Sequence, residues 1–237
     1  MHTTSVGIIG MGSFGSFAAE KLSKVAEIKA YDTKAAVDRK WSTDLAQVAS
    51  CDYVLLCVPV SSYVSVLNSL KPLLGEKTIV VDISSVKIEP HRIFRQHMAK
   101  QPYVSLHPLF GPQSASDSLV GHDVVLCPEL SSADALPGIV KCLSGLGLVV
   151  REMSADQHDK LMAELHALTF FVARGLDRIG VKPEEIMTPS YQKLVDLAEL
   201  EKHHSDELFN TIQSSNPYAA DVRRRLLDAL RELDANV

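Results

Sequence analysis

The sequence has no run approaching the roughly 18 apolar residues of a membrane-spanning helix, and no C-x-x-C pair among its four cysteines. It also has no excess of positive charge, no internal repeat and no low-complexity tract. Each absence removes a class of function. Cys51, Cys57, Cys127 and Cys142 are scattered in apolar surroundings, so they read as buried free thiols. A disulfide framework or zinc site is excluded, and a reducing compartment is indicated. Lys and Arg number 24 against 29 Asp and Glu, a net charge of −5, which gives no basic field for nucleic acid or anionic lipid and leaves only local phosphate sites. The opening Met-His-Thr-Thr-Ser lacks a cationic segment, and the apolar stretch after it is broken by Gly7, Gly10, Gly12 and Gly15, unlike a signal peptide. A cytoplasmic protein is predicted, with no membrane or nucleic-acid partner and no metal.

What is present is an ordinary globular composition, 46% hydrophobic and 22% charged over 237 residues, enough for one large domain or a medium one with a smaller partner. Up to about residue 152, short β-branched runs at 6–9, 27–31, 53–58, 78–82, 103–106, 124–127 and 149–151 alternate with helical spacing at 13–24, 61–74, 89–100 and 133–145. That alternation predicts parallel strands buried by crossover helices. From Ser154 the β-branched runs stop, and 156–179, 184–202 and 219–233 carry apolar residues at intervals of three and four. The fold class predicted is α/β, a doubly wound domain over 1–152 followed by a smaller all-helical domain over 153–237. So thin a helical domain favours packing against a second copy, hence a homodimer.

Val6 to Gly15 reads as a strand running into G-x-G-x-x-G and a helix, the Rossmann-type fingerprint. Gly10 permits the tight turn, Gly12 lets backbone approach a pyrophosphate, and Gly15 lets helix pack on strand, with the helix start at Ser13 and Phe14 facing the phosphates. Asp32 ends the second strand, where a carboxylate accepts from ribose hydroxyls and repels a 2′-phosphate, favouring NAD over NADP; Lys34 softens that preference. Val58 and Pro59 follow the third strand, at the carboxyl edge where such sheets bind ligands.

Two further strand ends carry polar clusters, Asp82-Ile83-Ser84-Ser85-Val86-Lys87 and His107-Pro108-Leu109-Phe110-Gly111-Pro112. With the glycine motif and His158-Asp159-Lys160, they make the chain resemble the prephenate/arogenate dehydrogenase family over nearly its whole length. The resemblance implies NAD-dependent oxidative decarboxylation of prephenate or arogenate in tyrosine biosynthesis. It makes His107 the acceptor of the hydroxyl proton and Ser85 its neighbour near the hydroxyl and the nicotinamide. Ser84 and Lys87 are implied to shape the loop or meet a carboxylate. His158 becomes a substrate-side or structural contact. His166 and Arg174, eight apart on the same helix, share a face and are further candidates to line the site. His203 and His204 read as helix-end or solvent groups rather than metal ligands.

One position departs from the family pattern. Gln192 stands where many bacterial members have an arginine that clamps the ring carboxylate, so Lys193, Arg174 or a partner subunit is required to supply the charge. The segment around Tyr191 looks more like the plant arogenate enzymes. Asp117 matches the position of an aspartate in arogenate-preferring members, where it would attract an ammonium and repel a keto acid. The extent of the chain leads to the expectation that it carries no fused mutase and no separate amino-acid-sensing domain. Two other readings stay open at this point. One is a β-hydroxyacid or imine-type dehydrogenase; the other is a non-catalytic NAD-binding protein.

Overall fold

The computed structural model describes residues 4–33, 38, 40–129, 134–202 and 204–237. The chain divides into two compact units, Met1–Ala155 and Asp156–Val237. The first is built on β1 (Ser5–Ile9), β2 (Glu27–Tyr31), β3 (Tyr53–Leu56), β4 (Ile79–Asp82), β5 (Tyr103–Pro108), β6 (Asp123–Cys127) and β7 (Val149–Glu152). They form one sheet in the order β2-β1-β3-β4-β5-β6-β7. Five pairings are parallel, but β5 and β6 run antiparallel, with His107 opposite Val125. This corrects the expectation of a wholly parallel sheet. Residues 109–122, between β5 and β6, contain no helix, and without a crossover element a chain returns beside its neighbour in the opposite sense.

The helices of this unit are α1 (Ser13–Leu22), α2 (Leu45–Ala49), α3 (Tyr63–Leu70), α4 (Ile88–His97) and α5 (Leu136–Gly145). They cover both faces of the sheet, which is why its central strands are apolar on both sides. Ile9, Val54, Leu56 and Val80 pack with Tyr63, Leu67 and Leu70 of α3 and with Ile93 and Phe94 of α4. Ile8, one residue earlier on β1, packs on the other face with Ala18 and Ala19 of α1 and with Ile28 and Ala30. Val104, Leu106, Val124 and Leu126 meet Ile139 of α5. The short α2, capped by the Asp44 carboxylate accepting from the Gln47 amide at 2.8 Å, escapes the periodicity argument because it is little more than one turn. It explains Gly7, where a Cβ would stand 2.6 Å from the Val48 carbonyl oxygen.

The second unit contains α6 (Ala155–Met162), a π-helical turn over Ala163–Ala167, α7 (Leu168–Arg178), α8 (Pro189–Lys202), α9 (Asp206–Asn210), a second π-helical turn over Thr211–Ser215, and α10 (Ala219–Ala235). Ala167, Phe170, Ile212 and Ala219 form its core, flanked by Leu208 and Phe209. The helix expected from residue 184 starts instead at Pro189. Proline fits the first helical turn, where its missing N–H costs nothing, so Pro189 opens the helix and Pro183 lies ahead of it. Of the cysteines, Cys51 and Cys127 are buried as expected, whereas Cys57 is half-buried and Cys142 exposed. Among the described residues no helix is long and apolar enough to cross a membrane. Lys34 and His203 lie outside the described residues.

Candidate active site

Strands β1 to β5 are mutually parallel, so their carboxyl ends open on one edge of the sheet. Chain order reverses direction at β1, whose neighbours are β2 and β3; crevices for ligands form at such points. The glycine loop sits there. Gly10 takes φ +95°, and a Cβ on it would lie 2.5 Å from the Cys57 carbonyl oxygen and 2.8 Å from the Val58 side chain. A Cβ on Gly15 would lie 1.9 Å from the Gly10 carbonyl oxygen. At Gly12 the same test meets no atom within 4 Å, so this glycine keeps open the space in front of α1. No side chain caps the start of that helix, and the amides at Ser13 and Phe14 are oriented as helix N-termini that bind phosphate. Two glycines are therefore required by the protein itself, whereas at Gly12 no described residue opposes a side chain.

Asp32, just past β2, accepts a 2.6 Å hydrogen bond from the Met11 amide through Oδ2. The carboxylate thus braces the glycine loop from the adjacent strand end. Val58 and Pro59 lead from β3 into a 3-10 turn over Val60–Ser62, and the Val58 side chain lies beside Gly10. Burial pushes the Cys57 thiol up to about 12, which keeps it protonated and unreactive.

The exits of β4 and β5 are joined by a buried carboxylate. Asp82 is fully buried. Its Oδ1 accepts from the Tyr63 hydroxyl at 2.5 Å and the Ser84 amide at 2.9 Å. Its Oδ2 accepts from Lys87 Nζ at 2.5 Å, the Ser105 hydroxyl at 2.7 Å and the Tyr103 hydroxyl at 3.3 Å. Burial by itself would raise the Asp82 pKa, but the Lys87 charge and the hydrogen bonds from Lys87, Tyr63 and Ser84 outweigh it and hold the carboxyl below its ordinary value. Lys87 is also fully buried, and Nζ donates a second bond to the Leu106 carbonyl at 2.6 Å. The Ser84 hydroxyl donates to the Val86 carbonyl at 2.8 Å rather than capping α4, whose N-cap is Lys87. Ser85 is half-buried, and its hydroxyl makes no hydrogen bond to another described residue. His107 is buried near the end of β5, directly after the carbonyl that Lys87 holds.

Beyond His107, Phe110 packs edge-on to Phe17 of α1 at 6.4 Å, and Lys21 of α1 donates to the Ser116 carbonyl. The segment carrying Asp117 is therefore anchored to the same helix that begins at the glycine loop. Asp117 itself is exposed and accepts from the Ser116 hydroxyl at 3.3 Å.

In the helical unit, His158 is fully buried with Nδ1 2.7 Å from Asp159 Oδ1, and Asn216 donates to the Asp159 carbonyl at 2.8 Å. His166 lies in the first π-helical turn, 5.6 Å between centroids from Phe170. Burial, reinforced by His158 and His204, lowers its pKa to about 4, so the ring is neutral at pH 7. Arg174 donates to Asp206 at 2.6 Å, with its guanidinium over Phe209. Gln192 donates to Asp196 at 2.7 Å, and Lys193 is exposed. Among the described residues no group of three or more His, Cys, Asp or Glu could hold a metal ion.

The sequence motifs assign no role to Asp82, and they place Tyr63 only in the helical stretch 61–74 and Tyr103 and Ser105 only in the strand 103–106. The available signal was an aspartate ending an otherwise apolar strand, with a lysine five residues on.

The model of the prephenate dehydrogenase nucleotide-binding domain matches residues 22–152, and that of a TYRAAT1-like C-terminal domain matches residues 175–237. The chain is 32% identical to arogenate dehydrogenase 2 (chloroplastic) of Arabidopsis thaliana over 182 residues, covering 74% of this chain and 51% of that protein. To arogenate dehydrogenase 1 of the same plant it is 29% identical over 248 residues, 96% of this chain and 39% of that protein. It thus spans about half, or less, of the length of these curated relatives. The solved prephenate dehydrogenase of A. aeolicus, in complex with hydroxyphenyl propionate and NAD+, superimposes with a TM-score of 0.74 at 23% identity, covering 100% of this chain and 92% of that one. That likeness establishes the shared fold.

Proposed function

The chain belongs to the prephenate dehydrogenase family, and from that premise we propose that it catalyses NAD-dependent oxidative decarboxylation of arogenate to tyrosine, with prephenate as the second candidate substrate. The observation that carries the reading is the edge of the sheet. There the glycine loop after β1, Asp32 after β2 and His107 near the end of β5 lie along one edge, with the exits of β3 and β4 between them. The residues fit the cofactor: Gly12 leaves free space before an uncapped helix start, and Asp32 is held at the end of β2. Gly10, Gly12, Ser13, Phe14 and Gly15 would hold the pyrophosphate, Asp32 the adenosine ribose, and Val58 and Pro59 the wall of the crevice. NAD supplies a hydride acceptor when bound.

His107 accepts a hydrogen bond from the substrate's ring hydroxyl and takes its proton as the carbonyl develops. The ring carboxylate leaves as carbon dioxide, and the ring becomes aromatic, so the reaction runs one way. Ser85, with its hydroxyl uncommitted among the described residues, orients the same hydroxyl, and Ser84 shapes the turn that presents it. Lys193 and Arg174 are the cations assigned to the ring carboxylate in place of the arginine that Gln192 replaces. His158 and the neutral His166 are assigned to the substrate side. Arogenate is put first because two plant relatives are arogenate dehydrogenases and because exposed Asp117 supplies a negative charge that favours an amine over a keto acid.

A homodimer through the helical unit and a cytoplasmic location belong to the same proposal. The first is supported by exposed Leu227, Leu230 and Leu233 on α10, the second by the free thiols. The test is NADH formation by the purified protein with NAD and each substrate in turn. Turnover of arogenate well above prephenate is expected. Turnover of neither, with tight NAD binding, would overturn the reading.

A further inference from the structure

We propose that Asp82 and Lys87 are positioning residues: their buried ion pair locks the Ser84–Ser85 turn at the exit of β4 against the peptide that carries His107 at the exit of β5. The proposal rests on the dehydrogenase reading above and assigns that site a supporting layer. Asp82 and Lys87 touch two strand ends at once. On one side Asp82 Oδ1 holds the Ser84 amide at 2.9 Å. On the other, Lys87 Nζ holds the Leu106 carbonyl at 2.6 Å, and that carbonyl belongs to the Leu106–His107 peptide. Asp82 pairs in register with Ser105, two residues before His107, and takes the Ser105 hydroxyl as a further ligand.

A buried ion pair is a poor device for stability alone, because apolar residues of the same volume commonly do as well or better. What they cannot do is hold the Ser84 amide after β4 and the Leu106 carbonyl of β5 in fixed positions. Asp82 takes five donors from α3, β5 and the β4 exit, a fully satisfied network of the kind that fixes a single arrangement. The two exits it joins carry Ser85 and His107, which have to meet one substrate hydroxyl. A displacement of about 1 Å between such groups can cost around a hundredfold in rate.

The test is the double variant Lys87→Met/Asp82→Asn, which removes both charges together and leaves no unpaired buried ion. Its melting temperature, NAD affinity, kcat, KM and the NMR titration of the His107 imidazole are compared with those of the natural protein. Expected are a folded protein, NAD affinity within about twofold, and kcat lowered about tenfold to a hundredfold with a smaller change in KM. The His107 titration should shift. A folded double variant with unchanged kcat and a superimposable His107 titration overturns the proposal. If the double variant does not fold, Tyr63→Phe and Lys87→Arg, which keep a carboxylate and a cation, carry the same readouts with the same two outcomes. If the natural protein turns over neither substrate, the dehydrogenase reading falls, and the His107 titration alone decides whether the clamp exists.

Discussion

Alanine at Gly12 and alanine at Gly15 separate space kept for a ligand from space used by the fold. At Gly15 the new Cβ would sit 1.9 Å from the Gly10 carbonyl oxygen and 3.0 Å from its carbon. The opposing atoms are backbone, so α1 and the glycine loop have to part. Overpacking of this kind costs about 1–3 kcal/mol, and with backbone against backbone the upper end applies. For a chain of this size each kcal/mol is worth about 2–4 °C, so Gly15→Ala should lower the melting temperature by roughly 6–12 °C. At Gly12 the Cβ meets nothing within 4 Å, and the backbone angles, φ −67° and ψ −165°, are open to alanine. The loss of conformational entropy in the unfolded chain stabilises by about 0.4–1 kcal/mol and offsets a comparable loss from a poorer N-cap. The melting temperature of Gly12→Ala should therefore stay within about 3 °C of the natural protein. Its NAD affinity should fall at least about tenfold, or 1.4 kcal/mol, because the methyl group fills the approach to the helix start. Calorimetry gives both numbers. A Gly12→Ala protein that melts as early as Gly15→Ala, or that binds NAD as tightly as the natural one, would show that Gly12 keeps no space for the cofactor.

His107→Asn should lower kcat on the order of a hundredfold while leaving NAD affinity within about twofold; steady-state kinetics with full activity would remove its catalytic assignment. Asp32→Ala removes the 2.6 Å bond to the Met11 amide and the ribose acceptor, so NAD affinity should fall far more than NADP affinity; an unchanged ratio in titration calorimetry would place cofactor choice elsewhere. His166 has a folded pKa of about 4 against an ordinary 6.5, so below pH 6.5 the unfolded chain takes up a proton that the folded one refuses. Stability is full above about pH 6.5 and falls until pH 4. His166→Gln should flatten that segment of the curve in denaturant titrations at several pH values, and an unaltered slope would contradict the assignment.

The strands were legible because burial on both faces leaves uninterrupted β-branched runs, and the cofactor loop was legible because each glycine answers a local steric need. Strand direction was not: an apolar run such as 124–127 reads the same in either sense, although the missing helix between His107 and Val124 carried that information. The five residues of α2 were too few to show a period, and only the placement of Val48 over Gly7 reveals why that strand position is glycine. The π-helical turns at Ala163–Ala167 and Thr211–Ser215 insert residues without altering composition. Lys87 illustrates the largest gap. The motif leaves Lys87 to shape the loop or meet a carboxylate, and that the carboxylate is buried Asp82 follows only from the five donors that converge on it. Those come from residues 63 to 105, brought together by sheet order rather than by spacing.

Oxidative decarboxylation of arogenate fixes one stoichiometry. With NAD and arogenate, NADH and tyrosine should appear together in a ratio of one to one, with carbon dioxide released in step, and both should be lost in His107→Asn. NADH without tyrosine, or tyrosine formation untouched by that substitution, would contradict it.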